Sequence, residues 1–190
     1  MISVVELDHW QWAYRTVFYA GPTVETMTKV GQSREKMKGV RLIEYEDGRI
    51  GVFTRPVREV MGYTEIDSLS ELTPHLTANA PEIGPRSEHG SWGPNALYPL
   101  GGDRVGVLGH IVIDDTRYHY MAAVWEFDRR SRAFSLPRII ADRKQFPPGV
   151  YRRPFLNVFY ACFLDLERGL LYGGLGDVQM GVIPVPYPFR

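Results

Sequence analysis

WGPNALYPLGGDRVGVLGHIV, residues Trp92–Val112, repeats a phrase that the chain has already used once. Asp47–Val57 reads DGRIGVFTRPV and the later stretch reads GDRVGVLGHIV, so Arg49 answers to Arg104. A looser third copy, GLLYGGLGDV, runs over Gly169–Val178. Each copy is a turn rich in Gly and Asp that leads into a short run of β-branched and apolar residues, the pattern of a tight hairpin entering a strand. An all-β unit recurring at roughly 50 residues is what consecutive blades of a β-propeller produce. The fold class expected is therefore all-β, a β-propeller, with function sought where the inner strands meet.

Working outward, Ile2–Leu7 and Arg15–Ala20 read as strands rich in Val, Tyr and Phe, and Gly21-Pro22 punctuates them. Thr23–Lys38 fits either a helix begun at a Thr cap or a strand over Glu25–Val30 followed by a loop, and the strand is preferred because Gly31 interrupts the helical pattern. Val40–Tyr45 alternates with period two and, through the EDG turn, pairs with Arg49–Thr54; Gly62–Leu69 is the next strand. Polar, Pro-containing sequence over Thr73–Ser91 reads as a long connection, a kind of loop often tied to function. Asn95–Leu100, Arg104–Ile113, Tyr118–Phe127 and Arg138–Ala141 make a complete four-stranded unit. Asn157–Leu166, Gly169–Gly174 and Val178–Val185 make the last, and its PVPYPF end excludes helix because proline recurs at alternate places. The domain plan is thus one propeller-type domain over 1–190: a blade remnant over 1–38, blades over 39–75 and 92–142, and a closing blade over 154–190. About three blades cannot close a ring alone. The chain is expected either to be the C-terminal part of a longer propeller or to have its exposed edge covered, for example by a second copy.

Composition bounds the partners. At 190 residues and 44% hydrophobic content the chain can bury a proper core, and 22 basic against 22 acidic residues give zero formal net charge. No nucleic acid or anionic membrane surface is expected as a partner. Cys162 is the only cysteine, which excludes an intrachain disulfide and a cysteine-based zinc site. MISVVELDHWQW carries acids where a signal peptide would be basic and then apolar, and no apolar run reaches the ~20 residues of a membrane span, so a cytoplasmic protein is expected. His9, His75, His89, His110 and His119 show no HExxH spacing, no Gly-rich loop opens a helix, and no GxSxG elbow occurs. Neither a cofactor nor a metal is expected, the open alternative being a divalent cation held by carboxylates on the propeller axis.

KMKGVRLIEYEDGRIGVFTRP, SWGPNALYPL with RVGVLGHIV, RRPFLNVFYACF and LYGGLGDVQMGVIPVPYPF together resemble a bacterial and protozoan family of five-bladed propellers of unknown function, over about Arg15–Phe189. That family looks like a relative of the β-mannoside phosphorylases and furanosidase-type glycosidases. The resemblance implies a carbohydrate pocket on the propeller axis, with this chain matching roughly the last three blades. It also implies a proton-donating Asp before an Arg at the start of an inner strand, Glu-Asp-Pro-Arg in the phosphorylases and Lys-Asp-x-Arg in the nearer family. Here that place reads Lys38-Gly39-Val40-Arg41: the Arg is kept and the acid is gone. Glycoside cleavage needs a proton delivered to a poor leaving oxygen, and glycine has none to deliver. The closing-blade motif matches Leu171-Tyr172-Gly173-Gly174-Leu175-Gly176-Asp177, which implies Asp177 facing the pocket; the alternative is a turn Asp bonded to its own backbone.

The remaining candidates each carry two readings. Trp92 either stacks on a sugar ring or packs between blades, and Asn95 beside it is placed to read hydroxyls. Glu88 and His89, in the long loop, either replace the missing acid or base or are solvated. Arg41, preferred over Arg55, has the fork geometry for a hydroxyl or phosphate. His110 is a substrate contact or a hydrogen-bonded core residue, and Arg153 a phosphate contact or surface charge. Catalytic candidates are Asp177 and Glu88; substrate-binding candidates are Arg41, Trp92, Asn95, His110, Arg153 and Asp177. The function expected is a glycosidase-like propeller that binds a small carbohydrate or sugar phosphate in its axial pocket, with Gly39 in the acid's place putting catalytic activity in doubt. The alternatives are an active glycoside hydrolase or phosphorylase on mannoside-like sugars, and a truncated non-enzymatic scaffold. A homodimer covering exposed blade edges is the expected protein partner.

Overall fold

The computed structural model describes the chain except residues 9–12, 58–59, 85, 87–89, 115–117, 147–158, 177–178 and 190. It is all-β apart from a single short helix and a few 3-10 turns among the described residues. Four antiparallel sheets follow one another along the chain, the building pattern of a β-propeller. Two compact units hold them, Met1–Ile83 and Gly84–Arg190. No helix among the described residues is long and apolar enough to cross a membrane.

In the first unit, β1 (Ile2–Asp8), β2 (Ala13–Ala20) and β3 (Thr28–Gln32) form one sheet in that order. Residues 1–38 thus contain a three-stranded sheet of their own. The strand expected over Glu25–Val30 starts later: Val24–Thr26 is a 3-10 turn, with the Thr23 N–H donating to Thr26 Oγ1 at 3.2 Å. Gly31, read from sequence as an interruption, lies inside β3, where an added Cβ would come within 2.7 Å of the Leu72 carbonyl oxygen. Close backbone approach, not a chain break, is its purpose.

The second sheet holds β4 (Arg41–Glu44), β5 (Ile50–Val57), β6 (Val60–Ile66) and β7 (Glu82–Ile83). The EDG turn joins β4 to β5 as the sequence indicates: Gly48 has φ +80°, and its N–H donates to the Tyr45 carbonyl at 2.9 Å. The connection after β6 is more ordered than its composition implies. Thr73 Oγ1 accepts the Leu76 N–H at 3.2 Å and caps helix α1 (Pro74–Ala78), with Pro at its first position, where no N–H is needed. Phe18, Met37, Val40, Val52, Ile66 and Leu72 form the core of this unit.

In the second unit, β8 (Gly90–Pro99), β9 (Arg104–Asp114) and β10 (Tyr118–Asp128) pair in order, and β11 (Ala133–Phe134) and β12 (Arg138–Asp142) both pair with β10. The last sheet is β13 (Phe159–Asp165), β14 (Leu170–Leu175) and β15 (Gln179–Pro184). Leu108, Val124, Phe146, Phe159, Leu164 and Leu171 are the centre of one apolar core shared by these two sheets. The repeated arginines hold equivalent places, each near the start of the second strand of its sheet and facing an acid on the third. Arg49 lies 3.0 Å from Glu65, and Arg104 lies 2.5 Å from Glu126.

Candidate functional site

The β8–β9 ladder breaks register between Pro94 and Ala96, which leaves Asn95 as the extra residue of a β-bulge. A bulge re-aims one side chain out of the alternation, and here it turns Asn95 toward both β9 and β13. Asn95 Oδ1 lies 2.8 Å from His110 Nδ1, and Asn95 Nδ2 donates to the Ala161 carbonyl at 2.6 Å. Both side chains are buried, Asn95 at 6% and His110 at 8% exposure. The His110 ring has Tyr120 at 6.3 Å and Tyr160 at 6.1 Å between centroids. Tyr160, 39% exposed, is the member of this group that reaches the surface.

Glycine clears the room around it. A Cβ on Gly109, next to His110, would stand 2.2 Å from Trp125 Cη2 and 2.4 Å from the Gly93 carbonyl oxygen. Trp92 is 5% exposed and packs at 5.4 Å from Trp125 and 5.9 Å from Phe134, the geometry of the packing alternative. A second joint between the sheets lies along β8, where the buried Tyr98 hydroxyl accepts the Leu164 N–H at 2.6 Å. Burial pushes the Tyr98 phenol up to about 12, against the lowering effect of that hydrogen bond. Burial also raises the Cys162 thiol, which keeps the protonated form that is the poorer nucleophile.

In the first unit, Arg41 opens β4 with its guanidinium half-buried and Nη1 donating to the Val40 carbonyl at 2.9 Å. Gly39, two residues earlier, has φ +81°, a left-handed conformation that glycine adopts freely and other residues rarely. Glu88, His89, Arg152, Arg153 and Asp177 lie outside the described residues. Asn95 and His110 are therefore the pair of predicted site residues that the fold joins directly. Tyr120, Tyr160 and the Ala161 carbonyl complete the group. Reading β10 and β13 as plain alternating strands gives no sign of them, since the contact spans 66 residues of chain. A separate shallow groove of about 440 Å³, lined in part by Glu126, Leu136, Arg138 and Tyr187, contains none of the predicted site residues. Among the described residues no three His, Cys, Asp or Glu side chains are grouped to hold a metal ion.

The family description "Protein of unknown function (DUF1861)" matches residues 2–190. The chain belongs to the DUF1861 family. No curated protein matches it. Solved structures do. A hypothetical protein from Leishmania major is 28% identical with a TM-score of 0.88. A mannose phosphorylase from Leishmania mexicana, in complex with phosphate ion, is 29% identical with a TM-score of 0.84. A GDP-Man-dependent mannosyltransferase from Leishmania mexicana superposes with a TM-score of 0.83 at 24% identity, a likeness of fold alone. In each case 98% of this chain is covered, but only 63% of the other, so this DUF1861 chain spans less than two thirds of their length. The fold class is the expected one, all-β of the propeller type, and the family has carbohydrate-active structural neighbours, as the sequence resemblance implied.

Proposed function

We propose that this DUF1861 chain is a glycosidase-like propeller protein that binds a mannose-like sugar or its phosphate and does not by itself cleave glycosidic bonds. The observation that carries the reading is the match, at 29% identity over 98% of this chain, to a mannose phosphorylase solved with phosphate. Gly39 supports the absence of cleavage, because a hydrogen side chain cannot protonate a leaving oxygen. His110, held in place by Asn95, and the partly exposed Tyr160 supply the polar and aromatic mixture that sugar recognition uses. Arg41 is proposed as a hydroxyl or phosphate contact of the first unit, to be tested separately, and residues 153 and 177 keep the same proposed role. In this reading the sheets within 41–83, 90–142 and 159–184 are blades and the leading sheet is a further one.

The test is calorimetric titration of the purified chain with mannose, mannose 1-phosphate, short mannosides and inorganic phosphate, run beside an assay for sugar and phosphate release. Saturable binding to at least one mannose-containing ligand without turnover is expected. Failure to bind any of them would end the reading. The second reading, an active phosphorylase, draws on the same neighbour and is the conclusion if phosphate-dependent sugar release is seen.

A further inference from the structure

The two repeated phrases treat one acid differently. In the first, Glu65 lies opposite Gly51 and Arg49 reaches it at 3.0 Å; in the second, Glu126 lies opposite Gly106 and Arg104 holds its Oε2. Both glycines make room for an aromatic ring. An added Cβ would stand 2.8 Å from the Tyr45 ring at Gly51 and 2.8 Å from the Phe189 ring at Gly106. Around Glu65 the hydrogen bonds are complete: the Tyr45 and Tyr63 hydroxyls lie 2.9 Å apart, and Tyr63 donates to Glu65 Oε1 at 2.8 Å. Around Glu126 neither hydroxyl has a counterpart. The ring at Gly106 is Phe189, and the place that Tyr63 holds opposite Phe53 is held by Val124 opposite Leu108. Glu126 Oε1 is thus buried with no hydrogen-bond donor among the described residues. Leaving a buried carboxylate oxygen without a donor is costly, and a ligand hydroxyl would relieve it.

Glu126 also lines the groove of about 440 Å³, which runs between the 135–137 connection and the C-terminal strap 185–189. The strap is tied at both ends, by the Val185 N–H to the Gly169 carbonyl at 2.8 Å and by Arg138 Nη2 to the Pro188 carbonyl. Between these ties Tyr187 stands 48% exposed. Its phenol is near the acid's partner: after Glu126, Tyr187 helps to raise the pKa of the Arg104 guanidinium. We propose that the groove is a binding site for a neutral saccharide, with Glu126 Oε1 accepting a sugar hydroxyl and Tyr187 covering the ring's apolar face. That hydroxyl takes the part that Tyr63 plays for Glu65. Charge selects the class. Arg104 already neutralises Glu126, so a cation gains little, and an anion drawn by Arg138 would meet the Glu126 carboxylate. An apolar ligand would leave Oε1 as it is. Neighbouring sugar hydroxyls both give and accept, which suits an acceptor in Glu126 and the exposed donors of Arg138 along one groove. Oε1 lies under the groove surface, but the Glu126 side chain is 19% exposed and the last torsion of a glutamate is soft, so a turn of the carboxylate brings it to the ligand. The inference does not depend on the roles given to Asn95, His110 and Arg41.

The experiment is nuclear magnetic resonance titration of the 190-residue chain carrying isotope-labelled tyrosine, with mannobiose as the neutral probe and inorganic phosphate as the anionic one. The Tyr187 signal is identified by its loss in Tyr187→Phe. Mannobiose is expected to shift that signal saturably, and phosphate to leave it in place. Glu126→Gln keeps the side chain's shape but offers a weaker acceptor, and is expected to weaken the mannobiose-dependent shift about tenfold, the other tyrosine signals showing the fold intact. Sugar held only at the Asn95–His110 group would move Tyr120 or Tyr160 and leave Tyr187 still, so the two sites fail separately. A Tyr187 signal unmoved by mannobiose overturns the proposal. So does a shift that phosphate produces equally, or one that Glu126→Gln leaves at full strength.

Discussion

Asn95 and His110 are locked into one hydrogen-bonding sense. Because Asn95 Nδ2 donates to the Ala161 carbonyl at 2.6 Å, the oxygen Oδ1 is the atom that faces His110 Nδ1 at 2.8 Å. An amide oxygen only accepts, so Nδ1 carries the hydrogen. A buried amide thereby ties β8, β9 and β13 together and sets the tautomer of the ring beside Tyr160.

Removing that amide leaves two buried polar partners without their bonds, so Asn95→Ala is expected to destabilise the chain by about 2 kcal/mol. Asn95→Asp keeps the bond to His110 but sets a carboxylate oxygen against the Ala161 carbonyl, and is expected to cost more than the alanine at neutral pH. Urea unfolding midpoints of the two variants check the order. A stability equal to wild type in Asn95→Ala would deny the joint its role.

Tyr98 makes stability fall at alkaline pH. Its phenol is raised from 10.0 to about 12 in the fold, so the native state holds its proton more tightly than the unfolded chain does. That contribution is complete below pH 10, declines above it, and is gone once pH passes about 12. Tyr63 is shifted in the same direction, first by burial and then by its hydrogen bond to Tyr45, and adds to the effect at higher pH. Tyrosinate absorbance followed with unfolding should show Tyr98→Phe starting less stable at neutral pH, because the Leu164 N–H loses its acceptor, and losing less between pH 10 and 12.

Restoring the acid at the Lys-x-x-Arg place is expected to fail twice over. Gly39→Asp puts a side chain on a backbone at φ +81°, at a cost of about 1 kcal/mol. The variant is expected to release no sugar from aryl glycosides and to unfold at lower denaturant than wild type. Measured release would show that this one carboxyl suffices.

Gly109→Ala should be worse than any surface change. The new Cβ would lie 2.4 Å from the Gly93 carbonyl oxygen, a backbone atom that cannot rotate away, and 2.2 Å from the Trp125 ring. A loss of about 3 kcal/mol is expected, with tryptophan fluorescence altered because Trp125 and Trp92 share that packing. By comparison Arg104→Ala, which removes a solvent-screened ion pair to Glu126, should move the unfolding midpoint far less than Gly109→Ala does.

Much of the fold is legible along the chain because its signals are local. The turn at Asp47-Gly48, the period-two alternation of Val40–Tyr45 and the repeated Arg49 and Arg104 phrases name strands that the structure contains to within a few residues. Where two local signals compete, as at Thr23–Val30, mutual capping by Thr23 and Thr26 wins the first turn, and the strand starts only at Thr28. The site is less legible. Asn95 and His110 stand out singly as polar residues in apolar strands, yet their pairing depends on a bulge that alternation cannot reveal.

By itself the sequence determined the strands, their turns and the family, since turn chemistry and alternation act over a few neighbouring residues. Tertiary structure alone decided that Asn95 meets a carbonyl 66 residues away, and that the apolar residues of β13 and β15 sort into one covered and one open face. The physical reason is register: one extra residue in a strand redirects every side chain after it, and only the pairing of strands shows where that residue falls.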